Sequence, residues 1–528
     1  MPEGGTRPAG PVSTIVLAAG EGTRMRSALP KVLHRIAGRT LAEHAVRAAS
    51  EVGPDHLVVV VGHGADQVTE HLTEVAGRLD QPISIAVQDK QHGTGHAVAC
   101  AMTELPAELT GTVLVSYGDV PLLEPETLRA LLAEHAEQGA AVTVLTSNVA
   151  DPTGYGRILR DHTGQVTGIV EERDATEGQR AITEINSGVY AFDAAVLRDA
   201  LGKLSADNIQ GELYLTDALG IARDLGLRLA ALICADVWQV EGINDRVQLA
   251  GLGAELNRRL LRQWMRAGVT MIDPATTWID VDVRLSQDVV LEPGVQLRGR
   301  TVVGEGAVVG PDSTLTNVEI GAGASVVRTH GSDSWIGPGA SVGPFAYLRP
   351  GARLGERGKI GTFVEVKNAE IGAGSKVPHL TYVGDATIGE HSNIGASSVF
   401  VNYDGVQKRR SVIGSHVKLG SDNMVVAPVH VGDGAASGAG TVIREDVPPG
   451  ALAVSAGPQR NIESWTLRRR AGTPAADAAK AALAAEESGR ESTEESGPDN
   501  QNDTDQSADR GTADRTAEST SHAKGQHA

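Results

Sequence analysis

Six aliphatic residues, Ile336, Val342, Leu348, Leu354, Ile360 and Val366, recur at every sixth position without a slip. The register shifts by one residue and continues through Ile371, Val377 and Val383. It shifts again, runs through Ile388, Ile394 and Phe400, and resumes at Ile413, Leu419, Val425 and Val431. A helix repeats about every 3.6 residues and a simple strand about every two, so this period fits neither alone. It fits a solenoid with flat faces, in which each hexad is one short strand whose aliphatic fills the interior. Glycine follows most of these residues, as in IGPGAS (336–341), IGAGSK (371–376) and VGDGAA (431–436), and allows the chain to turn each corner. Of the 63 glycines, 29 fall within residues 284–457, which marks the extent of the repeat. The competing reading, a Gly/Val-rich antiparallel sandwich, gives no reason for six aliphatics in one register. The repeat is interrupted by NYDGVQKRRS (402–411), whose turn residues and adjacent cations predict a loop thrown out from the scaffold.

The preceding residues have a different texture. Apolar segments TIVLA (14–18), HLVVVVG (56–62), TVLVSYGD (112–119) and AVTVLT (141–146) alternate with helical stretches, which predicts an α/β domain with a mainly parallel sheet. Leu249, Leu252, Leu256 and Leu260 lie on one face of a predicted connecting helix. Residues 471–528 hold 12 acids, five bases, no aromatic residue and one large aliphatic, Leu483, so they are expected to be disordered. The expected organisation is a flexible N-terminus (1–11), an α/β domain (12–243), a linker helix (244–270), a solenoid (271–465) and an acidic tail (466–528).

Composition excludes several classes. Glycine does not occupy every third position, so the chain is not a collagen. The longest purely aliphatic run is Leu57–Val61, too short for a membrane span, and MPEGGTRPAG carries no secretory signal. Aromatics make up 3 % and the net charge is −19, so neither base stacking nor a basic surface speaks for nucleic acid. Cys100 and Cys234 provide neither a disulfide framework nor a cysteine-rich metal site. The expected setting is a reducing cytoplasm.

Strand TIVLA runs into AGEGTRM (19–25) and then Leu29-Pro30-Lys31. A glycine-rich turn after a strand brings backbone N–H groups close to phosphate oxygens, and Arg24 and Lys31 add positive charge. The turn lacks the third glycine of a dinucleotide fingerprint and the Gly-Lys-Ser/Thr of a P-loop. Asp119 follows an apolar strand, where an acid is as often a turn or helix cap as a ligand. His92 and His96 are read as structural.

LAAGEGTRM (17–25) with PK (30–31) resembles the signature of sugar-1-phosphate nucleotidyltransferases. QHGTGHA (91–97), YGDVPL (117–122), DPTGYGRI (151–158), GIVEERDAT (168–176), EINSGVY (184–190) and VEGIND (240–245) follow in order. Together they resemble the uridylyltransferase half of the bacterial bifunctional N-acetylglucosamine-1-phosphate uridylyltransferase/glucosamine-1-phosphate acetyltransferase family. The resemblance implies that Asp119 and Asn244 hold Mg²⁺, to which oxygen ligands are suited. It implies that Lys31 and Arg24 stabilise the pyrophosphate and the reacting phosphorus. Leu17, Ala18, Ala19, Gly20, Gln88, Gly93, Thr94, Tyr117 and Gly118 would belong to the nucleotide and sugar site, with Gly156, Glu171 and Asn186 on the N-acetylglucosamine. Two polyanions must meet there, so catalysis is positioning and charge neutralisation.

YLRPGARL (347–354), FVEVKNAEIGAGSK (363–376), HLTYVGDA (379–386), NIGA (393–396), NYDG (402–405) and LGSD (419–422) resemble the acetyltransferase half of the same family. That half is a left-handed parallel β-helix that forms homotrimers. The resemblance implies that His379 takes a proton from the amine of glucosamine-1-phosphate, while Arg349, Lys367, Tyr382, Asn393 and Lys408 bind this acceptor. Acetyl-CoA would lie along Ala396, Asn402, Tyr403, Ser421 and Ala439. No cysteine lies in 284–457, so direct acetyl transfer is expected rather than a thiol intermediate. Some members carry a coenzyme-contacting Arg where this chain has Ala456; Arg460 or the arginines at 468–470 are candidates to replace it. The implied activity makes UDP-N-acetylglucosamine, a cell-envelope precursor, from glucosamine-1-phosphate, acetyl-CoA and UTP. Two other readings are a single-function sugar nucleotidyltransferase with an inert solenoid and a catalytically dead nucleotide-sugar sensor. The grouped Arg349, Lys367, His379, Tyr382 and Asn393 disfavour the first, and Lys31, Asp119 and Asn244 disfavour the second.

Overall fold

The structure, a computed structural model, describes residues 10–79, 81–455, 457 and 459–494. The chain divides into two units at 456/457.

In the N-terminal part, strand Val12–Ala18 is buried along its whole length and lies between parallel partners His56–Val61 and Thr112–Tyr117. Burial on both faces is why these strands read as unbroken apolar runs. Val142–Asn148 and Leu229–Ile233 extend the sheet on one side and Ser84–Val87 on the other. Glu184–Asp193 is inserted antiparallel between Thr112–Tyr117 and Val142–Asn148, and pairs at its start with a hairpin, Arg157–Arg160 and Val166–Val170. Its register breaks between Asn186 and Tyr190, a bulge that re-aims Asn186. The parallel strands Val12–Ala18 and Thr112–Tyr117 end beside each other, since the Gly118 N–H donates to the Leu17 carbonyl at 2.8 Å. The crevice beyond such carboxyl ends is where open α/β sheets take ligands.

The linker helix spans Arg246–Arg266 and is capped by the Asp245 carboxylate, which accepts from the Val247 and Gln248 N–H groups. Leu252 and Leu261 are its buried leucines. Of the other leucines expected on the apolar face, Leu249, Leu256 and Leu260 are half-buried, with Leu249 and Leu256 packed against the cluster of Met25, Ile36, Leu41, Leu122 and Ile243. Asn257 is buried between the helix and the first coil, donating to the Thr277 carbonyl at 2.8 Å and accepting from the Ile279 N–H at 3.0 Å.

The second part is the solenoid. Short strands stack in three parallel sheets, from Thr270–Met271, Trp278–Ile279 and Arg284–Leu285 onward. Val290 pairs with Val308 and Gln296 with Thr314, so one coil consumes three hexads. Every aliphatic of the hexad series, and Phe400, lies in one continuous buried core. This architecture is a left-handed parallel β-helix. Narrow stacked coils leave room for Val, Ile and Leu but for few rings.

In the second unit, Trp465–Arg469 and Pro474–Glu494 are helical, contrary to the expected disorder there. The latter segment is rich in alanine and glutamate, whose intrinsic helix propensity needs no apolar core. Arg470 sits 5.0 Å over the Trp465 ring. Ala456, residues 1–9 and the tail from 495 lie outside the described residues.

Candidate active sites

Two adjoining cavities, of about 260 and 300 Å³, open at the carboxyl ends of the central strands and share Thr94, Tyr117, Asp119 and Glu212. The first gathers Leu17, Ala18, Ala19, Gly20, Lys31, Gln88 and Gly93; the second gathers Gly156, Glu171, Asn186 and Asn244. Segments far apart in sequence therefore converge on one cleft.

The charges at the junction of the cavities are interlocked. Lys31 Nζ bonds to Asp119 Oδ2, and Arg24 Nη2 donates to Asn244 Oδ1 at 2.9 Å. Lys31 reaches this place because Gly22 adopts the left-handed conformation at φ 64°, where a Cβ would stand 2.5 Å from Lys31 Cβ. The glycine therefore serves the turn and the lysine packing, besides any approach to phosphate. Gly22→Ala is expected to lower nucleotidyl transfer by about 10²-fold through displacement of Lys31, and to leave acetyl transfer unchanged. Steady-state rates of both half-reactions on one preparation check this.

Gly93 also needs its left-handed φ of 97°, because a Cβ there would lie 2.6 Å from the Leu213 carbonyl oxygen. The Gln88 amide nitrogen donates to the Gly93 carbonyl at 3.1 Å and lies 3.2 Å from His96 Nδ1. His96 thus holds Gln88, and its other nitrogen faces the Cys100 thiol at 3.7 Å. In the second cavity, Asn186 Oδ1 accepts from the Gly188 N–H and the Tyr190 hydroxyl. Its oxygen is thereby held in place on the wall of the second cavity. Burial, with the neighbouring Asp174 and Asp217 carboxylates, raises Glu171 above the ordinary carboxylate range despite a hydrogen bond from Thr216. Burial also pushes the Tyr117 phenol up, as do Glu171 and Asp119. Tyr190 and Glu212 were missed by sequence reasoning. Tyr190 stands inside the quoted EINSGVY, whereas Glu212 carries no motif signal.

Asp119 and Asn244 offer two hard oxygen donors on the wall of one cavity. Among the described residues no group of three or more His, Cys, Asp or Glu could hold a metal. A divalent ion fits this pair if substrate phosphate and water complete its shell.

On the β-helix, the candidates occupy two edges of one sheet face. His379 ends strand Lys376–His379; its carbonyl accepts from the Thr381 hydroxyl at 2.6 Å and the Ser397 N–H at 3.2 Å. The same edge continues one coil at a time, with the Asp422 N–H on the Ala396 carbonyl and the Gly440 N–H on the Ser421 carbonyl. Ala396, Ser421 and Ala439 therefore form a column leading away from His379. Asn393 bridges Lys376 and Lys418 on the adjoining face.

The opposite edge carries Arg349 and Lys367, on the ends of successive strands, and Asn402, after strand Val399–Val401. Tyr382 lies between the edges, in register with Glu365 and Val399. Arg349 pairs with Glu365 at 3.0 Å. Lys367 pairs with the Asp385 carboxylate at 3.2 Å, which also receives the amides of Asn368 and Asn402. Burial works to raise Asp385, but the Asn368 and Asn402 hydrogen bonds and the Lys367 ammonium outweigh it and hold the carboxyl below its usual range. A depressed carboxylate contributes stability above its unfolded value of about 3.9, and that stability is lost as pH falls through the lower folded value. Asp385→Asn is therefore expected to flatten the acid limb of the β-helix melting profile below about pH 4. Thermal midpoints measured from pH 7 to 3 check this. Tyr403 and Lys408 face each other across the excursion loop through a backbone bridge.

An α/β nucleotide-binding cleft followed by a parallel β-helix bearing a second polar cluster defines a two-site transferase. Residues 14–184 match the MobA-like NTP transferase domain. The chain is 65 % identical over 477 residues to the bifunctional protein GlmU of Kineococcus radiotolerans, covering 90 % of this chain and 96 % of that protein. It is 64 % identical over 477 residues to that of Rhodococcus opacus, covering 89 % and 95 %. It is 61 % identical over 470 residues to that of Corynebacterium glutamicum, covering 89 % and 97 %. The chain belongs to the GlmU family of bifunctional uridylyltransferase–acetyltransferases of UDP-N-acetylglucosamine synthesis. The family and the NTP transferase domain point to a divalent metal. Among the described residues, no helix is long and apolar enough to cross a membrane.

Proposed function

We propose that the two sites divide the chemistry between them: acetylation of glucosamine-1-phosphate on the β-helix first, uridylyl transfer in the α/β cleft second. The product would feed cell-envelope polymers. The observation that carries this reading is the position of His379. It stands on the edge that Ala396, Ser421 and Ala439 continue on later coils, across one sheet face from Arg349 and Lys367 on earlier coils, with Tyr382 between the two edges. A base there meets an amine from one side and a thioester from the other.

His379 takes the proton from the 2-amino group of the acceptor as the amine attacks the thioester carbonyl. Arg349 and Lys367 hold the sugar phosphate, with Tyr382, Asn393 and Lys408 completing the acceptor site. The acetyl group passes directly to nitrogen, and the coenzyme leaves as its thiol.

In the α/β cleft, Asp119 and Asn244 would hold Mg²⁺, which supplies charge neutralisation between the phosphates. Lys31 and Arg24 hold the departing pyrophosphate and the charge on the α-phosphorus. Gln88 spends its NH₂ on Gly93, which leaves its carbonyl oxygen to accept the imide N–H of uracil. The NH₂ of Asn186, with Gly156 and Glu171, meets the N-acetylglucosamine. We further propose a homotrimer through the β-helix, supported by the exposed apolar side chains of Phe345, Phe363 and Leu380 on successive coils. A cytoplasmic setting is supported by the free thiols of Cys100 and Cys234.

Incubation with glucosamine-1-phosphate, acetyl-CoA, UTP and Mg²⁺ is expected to yield UDP-N-acetylglucosamine, CoA and pyrophosphate. Formation of UDP-glucosamine instead, or CoA release without nucleotide-sugar, contradicts the order or the pairing of sites.

A further inference from the structure

The buried carboxylate of Asp385 has no place in the chemistry above, yet it joins both halves of the acetyl-transfer site. It lies at the corner after strand Tyr382–Gly384, with its side chain 11 % exposed. Oδ1 accepts from Asn368 Nδ2 at 2.6 Å, Oδ2 accepts from Asn402 Nδ2, and Lys367 Nζ lies 3.2 Å from Oδ2. Three donors, two from the coil before and one from the coil after, thus converge on one anion. Asn402 is itself buried and forms the neck of the excursion loop, where its carbonyl accepts from the Arg409 N–H at 2.9 Å. Arg410 seals the neck from outside, donating to the Ala386 carbonyl at 2.8 Å and to the Thr387 hydroxyl at 2.9 Å. The loop beyond this neck carries Tyr403 and Lys408.

We infer that Asp385 is a positioning residue that sets the Lys367 ammonium and the neck of the 402–410 loop in one register, so that the acceptor and coenzyme sites are built on a single buried anion. This inference rests on the reading of Lys367 and Asn402 as substrate contacts. A lysine without this partner samples many rotamers, and an Asn402 amide without it loses a charge-assisted hydrogen bond in a buried place. Asp385 touches neither substrate in this scheme, and His379 stands on the other edge of the face. Its loss should therefore appear in binding rather than in the chemical step.

Asp385→Asn keeps the shape and tolerates the left-handed backbone at φ 47°. The expected result is a rise of about tenfold or more in KM for both glucosamine-1-phosphate and acetyl-CoA, with kcat for acetyl transfer within about threefold. Uridylyl transfer should be unchanged. A fall in kcat alone, or both KM values within twofold of wild type, overturns the inference. A second variant, Asn402→Ala, covers the case in which Asp385→Asn fails to fold. Although Asn402 is assigned to the coenzyme, its loss should weaken glucosamine-1-phosphate binding measured by calorimetry without acetyl-CoA. Unchanged acceptor binding in that variant also overturns the inference. Lys367→Met separates the two layers: wild-type acetyl transfer there refutes the site reading itself, whereas impaired transfer there with a silent Asp385→Asn refutes only the inference.

Discussion

His379→Ala lowers acetyl transfer by about 10²–10⁴-fold and leaves uridylyl transfer at the wild-type rate. The expected magnitude is that of removing a general base, because an ammonium cannot attack and water is a poor substitute for a placed imidazole. The selectivity follows from the architecture. His379 is on the β-helix, while the cleft at the carboxyl ends of Val12–Ala18 and Thr112–Tyr117 is built wholly from the α/β domain and the residues entering the linker helix. The histidine side chain is exposed and its strand is held by backbone bonds to neighbouring coils, so its truncation removes no core packing. Equal melting temperatures of variant and wild type, alongside assays of both half-reactions, separate loss of chemistry from loss of fold. Parallel loss of both activities in a folded protein refutes the division into two sites.

Asp119→Ala produces the reverse pattern: uridylyl transfer falls by about 10³-fold or more and acetyl transfer persists. Two effects combine. The variant loses one of the two oxygen donors proposed for the metal, and it strands Lys31, whose side chain is 12 % exposed, without its carboxylate partner. Asp119→Asn distinguishes them. It retains an oxygen donor but not the charge, so it is expected to remain strongly impaired if neutralising Lys31 and the metal is what matters. Chelation of divalent ions should reproduce the selectivity of Asp119→Ala, stopping uridylyl transfer while acetyl transfer continues.

The solenoid was legible because its signal is one-dimensional. Each hexad buries its own aliphatic, so Ile336, Val342 and Leu348 appear in sequence in the order in which they fill the interior. The α/β sheet was partly legible for a related reason. Strands buried on both faces, such as His56–Val61, read as apolar runs, whereas Arg157–Arg160 holds only Ile158 and Leu159 between two arginines and shows no such run; Leu229–Ile233, half-buried at the sheet edge, reads LAALI and was passed over. Most residues matched to motifs lie around two places, although Arg24 and Gly118 line neither cavity and Asn393 stands on an adjoining face, and the groups that hold them did not announce themselves. Tyr190 and Asp385 sit within quoted motifs, yet their roles depend on partners, Asn186 four residues away and Lys367, Asn368 and Asn402 on other coils, that only the folded register brings together. Glu212 reaches the cleft from a segment without regular structure, where no periodicity could have flagged it. The helix Pro474–Glu494 was obscured because a lack of large apolar residues argues against a packed core, not against helix itself.

The central claim, two independent active sites on one chain linked by a diffusing intermediate, is tested most directly by mixing two impaired variants. His379→Ala and Asp119→Ala, each supplied with glucosamine-1-phosphate, acetyl-CoA, UTP and Mg²⁺, are expected to form UDP-N-acetylglucosamine alone at no more than about a hundredth of the wild-type rate. Combined in one vessel, they are expected to form it, as N-acetylglucosamine-1-phosphate released by Asp119→Ala is taken up by His379→Ala. Product from either variant alone at a rate near wild type, or no gain in the mixture over the two variants alone, contradicts the claim.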